Sequence, residues 1–492
     1  MLNRNLFNCN KFSALFLLCV FIYFSTTTSY AINYDLVLDI RNLSEKAKME
    51  YKKRNYEQAV AFAEKAHDLS MRHLKDSDDV YYVTLISLAS YEKDAGKSTE
   101  AVNHYKELLE IHRKTSRWND EETVTIMNKL TNIYMEVNEF DNAEKQSRDA
   151  LALAQRNFGP DNKITIDTLL IDAELQNKIG NLKSALKSYQ KVYIWKMSHM
   201  VKDDELTIAL KGNIGILYEK IGNFDESEKL LKEVLDYHVK KFSKKNPKTI
   251  EAMLNYITLL NKTRRYEEVE KRYMELIEIS REIKGEEHPE TLTLYTELAD
   301  TYIRLKKYDK AIEICQKTIS TQKKVLGLNH SETYMSIITL TNAYIEKGDY
   351  VKAIPNSLAA MRIAENIYGE DNLETCFAMD NAALIYTRAG NFDNALDLRK
   401  KIIDTLIHHQ MNEYPFTINQ IAHLGLLYYQ MNRLDDALIQ VERSVELALK
   451  VFGPNHPDTK VYQENLVLIR QKIKERDEKN DHPAEQASKL KQ

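Results

Sequence analysis

Between Glu286 and Gly327 the apolar positions fall into two stripes at helical spacing, separated by a short polar break. Leu294, Leu298, Ala299 and Tyr302 make the first stripe; Ala311, Ile314, Cys315, Thr318 and Ile319 make the second. Residues three and four apart share a helix face, so the stretch predicts a helical hairpin, helix A followed by helix B. Glu286-Glu287-His288-Pro289-Glu290-Thr291 opens helix A. Proline suits a first helical position and early acids complement the helix dipole. Lys306 marks the turn and Gly327 the close of helix B. One hairpin cannot bury both stripes, so each must stack on the next.

The same arrangement recurs through the chain. Threonine stands at 123, 165, 207, 249, 291, 333, 375, 417 and 459, one every 42 residues, a period that marks stacked helical repeats. The turn position keeps the step: Arg54, Gly96, Asn138, Gly180, Gly222, Arg264, Lys306, Gly348, Gly390 and Asn432. Gly and Asn dominate it, as expected of a left-handed turn residue. Pro247, Pro289, Pro415 and Pro457 share the helix A start, and Gly159, Gly285, Gly327, Gly369 and Gly453 share the helix B close, where a left-handed cap is expected. Five positions past the turn a small residue recurs, from Ala59 to Ala437, which lets paired helices approach closely. Two past the turn stands a large residue such as Tyr56, Phe140 or Tyr308, with Ser98 the exception.

Leu298-Ala299-x-x-Tyr302, the turn, then an aromatic and a small residue resemble a tetratricopeptide repeat. Gly-x-x-His-Pro-x-Thr between units, at 285–291 and 453–459 with a near match at 327–333, is similar to the kinesin-light-chain type of that family. The resemblance covers about 36 to 478. It implies an all-α fold, a right-handed α-solenoid superhelix of tetratricopeptide-like hairpins, about ten of them over 36–452. Residues 457–478 then read as a capping helix, with Leu466, Leu468, Ile469 and Ile473 available for packing, and 479–492 as a disordered charged tail. Kinesin light chains carry a heptad segment ahead of their repeats; here too few residues precede the first repeat, so a motor subunit is not expected.

Composition changes this picture mainly at the N-terminus. Arg4 and Lys11 are the only charges in the first 31 residues, and Phe12 to Phe24 is apolar apart from Ser13. That layout, ending in Ser29-Tyr30-Ala31, reads as a secretory signal peptide over 1–31. A retained membrane anchor is the competing reading, but 13 residues fall short of the roughly 20 that span a bilayer. Cleavage leaves 67 basic against 73 acidic residues, so charge selects neither nucleic acid nor an anionic membrane as partner. Cys315 and Cys376 remain, on helices of different repeats, and read as buried free thiols in an exported protein, periplasmic or extracellular.

The sequence offers no positive reason to assign an enzyme, a cofactor or a metal. His288, His330 and His456 occupy one loop slot in three repeats, and there is no His-Glu-x-x-His, Cys-x-x-Cys, phosphate loop or Gly-x-Ser-x-Gly elbow. In the family that the repeats resemble, helix A lines the concave groove and the residue two before the turn points into it. Here that column is basic in four consecutive repeats, Lys178, Lys220, Lys262 and Arg304, and again at Arg388. It reads either as a positive ladder for an extended acidic segment or as cations offsetting helix dipoles. Met335, Ile338, Asn342, Ile345, Phe377, Asp380, Leu384, Leu426 and Tyr429 are expected to face the same groove, as anchors for a peptide or as packing between neighbouring A helices. The carboxylate-clamp form of the repeat is not matched; Asn128 and Asn132 come closest. Pro355, one turn into its helix B, can bend it. The resulting expectation is a non-enzymatic scaffold with a protein or peptide partner. A self-assembling spacer, hence a homo-oligomer, and an accessory subunit of a secreted or envelope enzyme complex are the rivals.

Overall fold

The computed structural model describes residues 31–74, 79–115, 120–199, 205–481, and side chains from 35 to 478. Of the expected signal peptide (1–31) and charged tail (479–492), residues 1–30 and 482–492 lie outside the described residues. The chain separates into two compact units, residues 1–241 and 242–492.

The first unit holds five hairpins: α1 (Ala31–Lys52) with α2 (Tyr56–His73), α3 (Asp79–Asp94) with α4 (Ser98–Lys114), α5 (Glu121–Glu136) with α6 (Phe140–Phe158), α7 (Lys163–Lys178) with α8 (Leu182–His199), and α9 (Glu205–Lys220) with α10 (Phe224–Lys241). The second holds five more and a final helix: α11 (Pro247–Lys262) with α12 (Tyr266–Lys284), α13 (Pro289–Arg304) with α14 (Tyr308–Val325), α15 (Ser331–Lys347) with α16 (Tyr350–Tyr368), α17 (Leu373–Arg388) with α18 (Phe392–His408), α19 (Pro415–Gln430) with α20 (Leu434–Val451), then α21 (Pro457–Asp481). Among the described residues there is no strand. Odd-numbered helices are the A helices. Helix α1 begins five residues before the expected start of the repeats, and α21 runs three residues past 478.

All ten turn-ladder residues have positive φ, Arg54, Arg264 and Lys306 included, and Gly348 shows the left-handed pair φ 82°, ψ 9°. The closing glycines differ from the expected left-handed cap. Gly159, Gly285 and Gly369 combine φ of 86°, 99° and 93° with ψ near 160° (165°, 163° and 159°). That region is open essentially to glycine alone, whereas Lys, Arg and Asn tolerate the left-handed turn at a modest cost.

The threonine register has a specific cause. Thr165, Thr291, Thr333 and Thr375 each donate the side-chain hydroxyl to the carbonyl of the closing glycine six residues earlier, at 2.7–2.9 Å. Thr249 and Thr417 do the same to Ser243 and Met411. Each hydroxyl thereby ties the loop after one helix B to the start of the next helix A. The histidine slot caps that helix: the ring Nδ1 of His288, His330 and His456 accepts from the backbone N–H two residues on, at 3.2 Å. Asn162, Asn246 and Asn372 cap their helices through the side-chain oxygen.

The small column from Ala59 to Ala437 is buried without exception, including Ser227 and Val269. In α21, Ile469 is fully buried and Leu466 and Ile473 pack on the adjoining core, but Leu468 is exposed, contrary to expectation, because it lies about 100° around the helix from Ile469. Cys315 and Cys376 are buried and unpaired, and burial pushes both thiols up, Cys315 to about 12. Helix α16 continues unbroken through Pro355. No described helix is long and apolar enough to cross a membrane.

Candidate functional site: a pocket between A helices of the second unit

In the second unit, Ile338, Asn342, Ile345, Leu384 and Arg388 line one pocket of about 210 Å³ between α15 and α17. These are five of the residues that the sequence assigns to the groove. Thr341, Glu346, Ala378, Asn381 and Ile385 complete its walls, and Ser357 of the intervening α16 reaches it from the B-helix layer. Ile338, Ala378 and Ile385 supply apolar surface, and Leu384 is 40% exposed. The side chains of Asn342, Glu346, Asn381 and Arg388 make no hydrogen bond or ion pair with other described residues. The hollow is apolar, ringed by unengaged amides and one charge of each sign, and smaller than the roughly 300–1,000 Å³ of sites for drug-sized ligands.

The other assigned residues lie elsewhere. Met335, on α15, is 52% exposed but outside the pocket, and Leu426 is half-buried on α19. Phe377 packs against Phe416 of α19, ring centroids 4.5 Å apart, and Tyr429 packs onto the core of the last repeats. For these two, packing between neighbouring helices is the observed role. The basic column is divided between the units, Lys178 and Lys220 in the first, Lys262 and Arg304 in the second. Each is the last residue of its A helix, so each offsets a helix dipole. Lys220 Nζ donates to Asn177 Oδ1 at 3.3 Å, and Arg304 pairs with Asp300 at 2.7 Å, lying 5.7 Å from the Tyr266 ring centre. Lys178 and Arg388 make no hydrogen bond or ion pair with other described residues.

Beneath the pocket runs a B-helix column that sequence reasoning missed. At the 42-residue step it reads Ala63, Tyr105, Ser147, Tyr189, Leu231, Tyr273, Cys315, Ser357, Arg399 and Val441, and every member is buried. This side chain is the floor beneath the A helices. Tyr105 and Tyr189 fill the space with a ring. Leu231 and Val441 press closely on glycines of the facing helices: a Cβ on Gly425 would stand 2.5 Å from Val441 Cγ2, and one on Gly215 2.9 Å from Leu231 Cδ2. Ser357 is short, and its hydroxyl turns back to the Ile354 carbonyl at 2.8 Å, leaving the room above it open. Ala63 and Ser147 are as small at the same step, so a short floor residue permits the pocket without by itself fixing where it opens.

One repeat further on, the floor residue is charged. Arg399 is buried in α18, and its Nη1 donates to Asp380 Oδ1 at 3.0 Å, Gln420 Oε1 at 2.7 Å and His423 Nδ1 at 3.3 Å. Asp380, expected in the groove, is thus neutralised from beneath. Burial first, then the Arg399 charge, holds the His423 imidazole below its ordinary value, in keeping with Nδ1 acting as an acceptor. Among the described residues no three His, Cys, Asp or Glu side chains gather where they could hold a metal ion.

Comparison with known proteins bears on the fold. Two patterns described as tetratricopeptide repeat match the chain, one at 248–324, 291–354 and 332–406, the other at 123–162, 207–248 and 417–458; together they span more than half of it. A pattern described as anaphase-promoting complex subunit 5 matches residues 47–139. No curated protein matches. Among solved structures, the signal transduction ATPase with numerous domains carrying a tetratricopeptide repeat sensor, from Pyrococcus horikoshii, is 14% identical with a TM-score of 0.51, over 95% of this chain and 72% of its own. BtubC from P. vanneervenii is 18% identical with a TM-score of 0.38, over 47% and 92%. With its period, its turn ladder and its stacked hairpins, the chain belongs to the tetratricopeptide-repeat family.

Proposed function

We propose that this protein is an exported, non-enzymatic scaffold whose second unit holds an extended segment of a protein partner along its A helices, anchored in the pocket between α15 and α17. The pocket itself carries the reading: apolar walls of Ile338, Ile345 and Leu384 beside the unengaged side chains of Asn342, Asn381 and Arg388. An apolar side chain of the partner enters the hollow, and the amides and Arg388 meet polar groups beside it. Export is the reading that the apolar run Phe12–Phe24 supports. The kinesin-light-chain likeness enters as repeat type, not as motor function.

A photo-crosslinking residue at Leu384 tests the site, with Ile439, 60% exposed on α20, as the reference position. The reading expects a partner captured from the secretory or envelope fraction at Leu384 and not at Ile439. Equal capture at both places moves the site off the pocket. Mass spectrometry of the mature N-terminus tests export, since a chain beginning at Met1 contradicts it. A self-assembling spacer is the second reading, favoured by the exposed Val461, Val467 and Leu468 of α21. Light scattering on the purified chain separates the two, because a spacer oligomerises without a partner.

A further inference from the structure

Late in the A helices, at the 42-residue step, stand Glu92, Tyr134, Gln176, Tyr218, Leu260, Tyr302, Tyr344, Tyr386 and Tyr428. Tyr134, Tyr302, Tyr344 and Tyr428 are buried, and Tyr218 and Tyr386 are half-buried. The residue 28 positions earlier, on the preceding helix B, meets the phenol. Gln190 Nε2 donates to the Tyr218 hydroxyl at 2.8 Å, and Gln316 Nε2 to the Tyr344 hydroxyl at 3.1 Å. Lys106 Nζ stands 5.8 Å from the centre of the Tyr134 ring. Gln176 breaks this column. Its Oε1 accepts from Asn181 Nδ2 at 2.9 Å, and a hollow of about 260 Å³ lies between α6 and α7 of the first unit. Gln176 lines that hollow together with Arg148, the residue at the step of Gln190 and Gln316. Leu151 and Ala152 give it apolar surface, and Glu144 and Asp172 stand at its rim. The other departures from tyrosine, Glu92 and Leu260, are themselves buried.

We propose that this hollow is a docking site for a tyrosine side chain carried by a protein partner. The partner's ring takes the place that the chain's own tyrosine takes in neighbouring repeats. Size permits it, since a cavity of about 150 Å³ already accepts benzene. Leu151 and Ala152 offer the apolar surface that a ring would remove from water. The hydroxyl finds a donor in Arg148, which is 72% exposed and held only loosely, 3.5 Å from Glu144. It finds an acceptor in Asp172, whose Oδ1 takes a bond from Ser147 Oγ at 3.1 Å while Oδ2 has no partner among the described residues. The carboxylates of Glu144 and Asp172 repel a phosphorylated or sulfated ring, so the unmodified phenol is the form selected. This site belongs to the first unit and is independent of the pocket between α15 and α17.

The test is saturation-transfer NMR on the full chain, with acetyl-Gly-Tyr-Gly amide as probe and its leucine and phenylalanine counterparts as references. The tyrosine peptide is expected to bind in the millimolar range, at least fivefold more tightly than the leucine peptide. Gln176→Tyr puts the ring of the neighbouring repeats into the hollow and should weaken that binding at least tenfold. Arg148→Ala removes the hydroxyl's donor from an exposed position and should bring the tyrosine peptide within twofold of the phenylalanine peptide. Equal binding of the tyrosine and leucine peptides, or unchanged binding to Gln176→Tyr, overturns the proposal. A tyrosine preference that survives Arg148→Ala overturns the role given to that guanidinium. Binding of p-cresol more tightly than the peptide overturns the assignment to a side chain carried by a protein.

Discussion

Replacing Thr291 with valine tests the cause assigned to the threonine register. Valine keeps the shape of the side chain, so no cavity forms; only the hydroxyl is lost. In the protein that hydroxyl is buried, donates to the Gly285 carbonyl at 2.9 Å and lies 2.6 Å from the Ser280 hydroxyl. Thr291→Val therefore strands a buried serine hydroxyl and a half-buried carbonyl, each worth about 1–3 kcal/mol when left without a partner. Because Gly285 is partly accessible to water, the expected total is about 2–4 kcal/mol. At roughly 2–4 °C per kcal/mol for a cooperative unit of this size, the melting temperature should fall by about 5–15 °C. Circular-dichroism melts provide the measurement. Thr258→Val is the matched control, since its hydroxyl bonds only its own helix, to Leu254 at 3.1 Å, from an exposed position. The control should stay within about 0.5 kcal/mol of the parent. A Thr291→Val melt within 2–3 °C (about 1 kcal/mol) of the parent would refute the account, leaving the register without its proposed cause.

Four further outcomes are expected. Ser357→Tyr restores at position 357 the ring found at Tyr105 and Tyr189, fills the pocket, and removes an apolar anchor worth about 1.5–3 kcal/mol, so binding of the segment crosslinked at Leu384 should weaken roughly 10- to 150-fold by calorimetry; unchanged affinity would place the anchor elsewhere. His423 takes up a proton less readily when folded than unfolded, so below about pH 6.5 the unfolded state binds more protons and the second unit loses stability as pH falls; His423→Gln should flatten the urea midpoint between pH 7.5 and 5, and an identical slope in both proteins would contradict this. Gly285→Ala forces a side chain onto φ 99° and ψ 163° and should cost about 1–3 kcal/mol in denaturant melts, with a cost under 0.5 kcal/mol as the contrary result. Ala311→Leu overfills a fully buried close approach between α13 and α14 and should cost about 1–3 kcal/mol by the same assay, whereas a neutral result would show that the hairpin can open.

Much of the fold was legible because its causes are local and repeat every 42 residues. A left-handed turn, a proline at a helix start and a small residue at a helix crossing each constrain one position, and the turn and the position of the helix crossing recur ten times, the proline four. The division of the chain after Lys241 was not legible, because nothing interrupts the period there. The groove was legible only in part. Helix A columns predicted Ile338, Asn342, Ile345, Leu384 and Arg388, which do line one pocket. They also predicted Phe377 and Tyr429, whose rings are large enough to reach a neighbouring helix and pack there. Charge misled in a similar way: Arg304 has its carboxylate four residues back on its own helix, at Asp300.

The floor column explains how one repeat serves different ends along a single chain. The A-helix positions equivalent to 342 and 381 lie on successive helices, and the B-helix residue between them is one of the side chains that bear on what they can do. With Ser357 below, Asn342 and Asn381 flank an open hollow. With Tyr105 below, a buried ring occupies the floor, and Ser90 bonds both Lys129 and the Tyr105 hydroxyl. With Arg399 below, the place equivalent to Asn381 is His423, drawn into a buried charged network with Asp380. The outer residues are therefore insufficient to predict recognition, since their freedom depends on a buried neighbour from the other helix layer. A substitution at the floor should switch a site on or off while leaving every groove-facing residue unchanged, which makes Ser357 the position where the proposed binding function is most directly exposed to test.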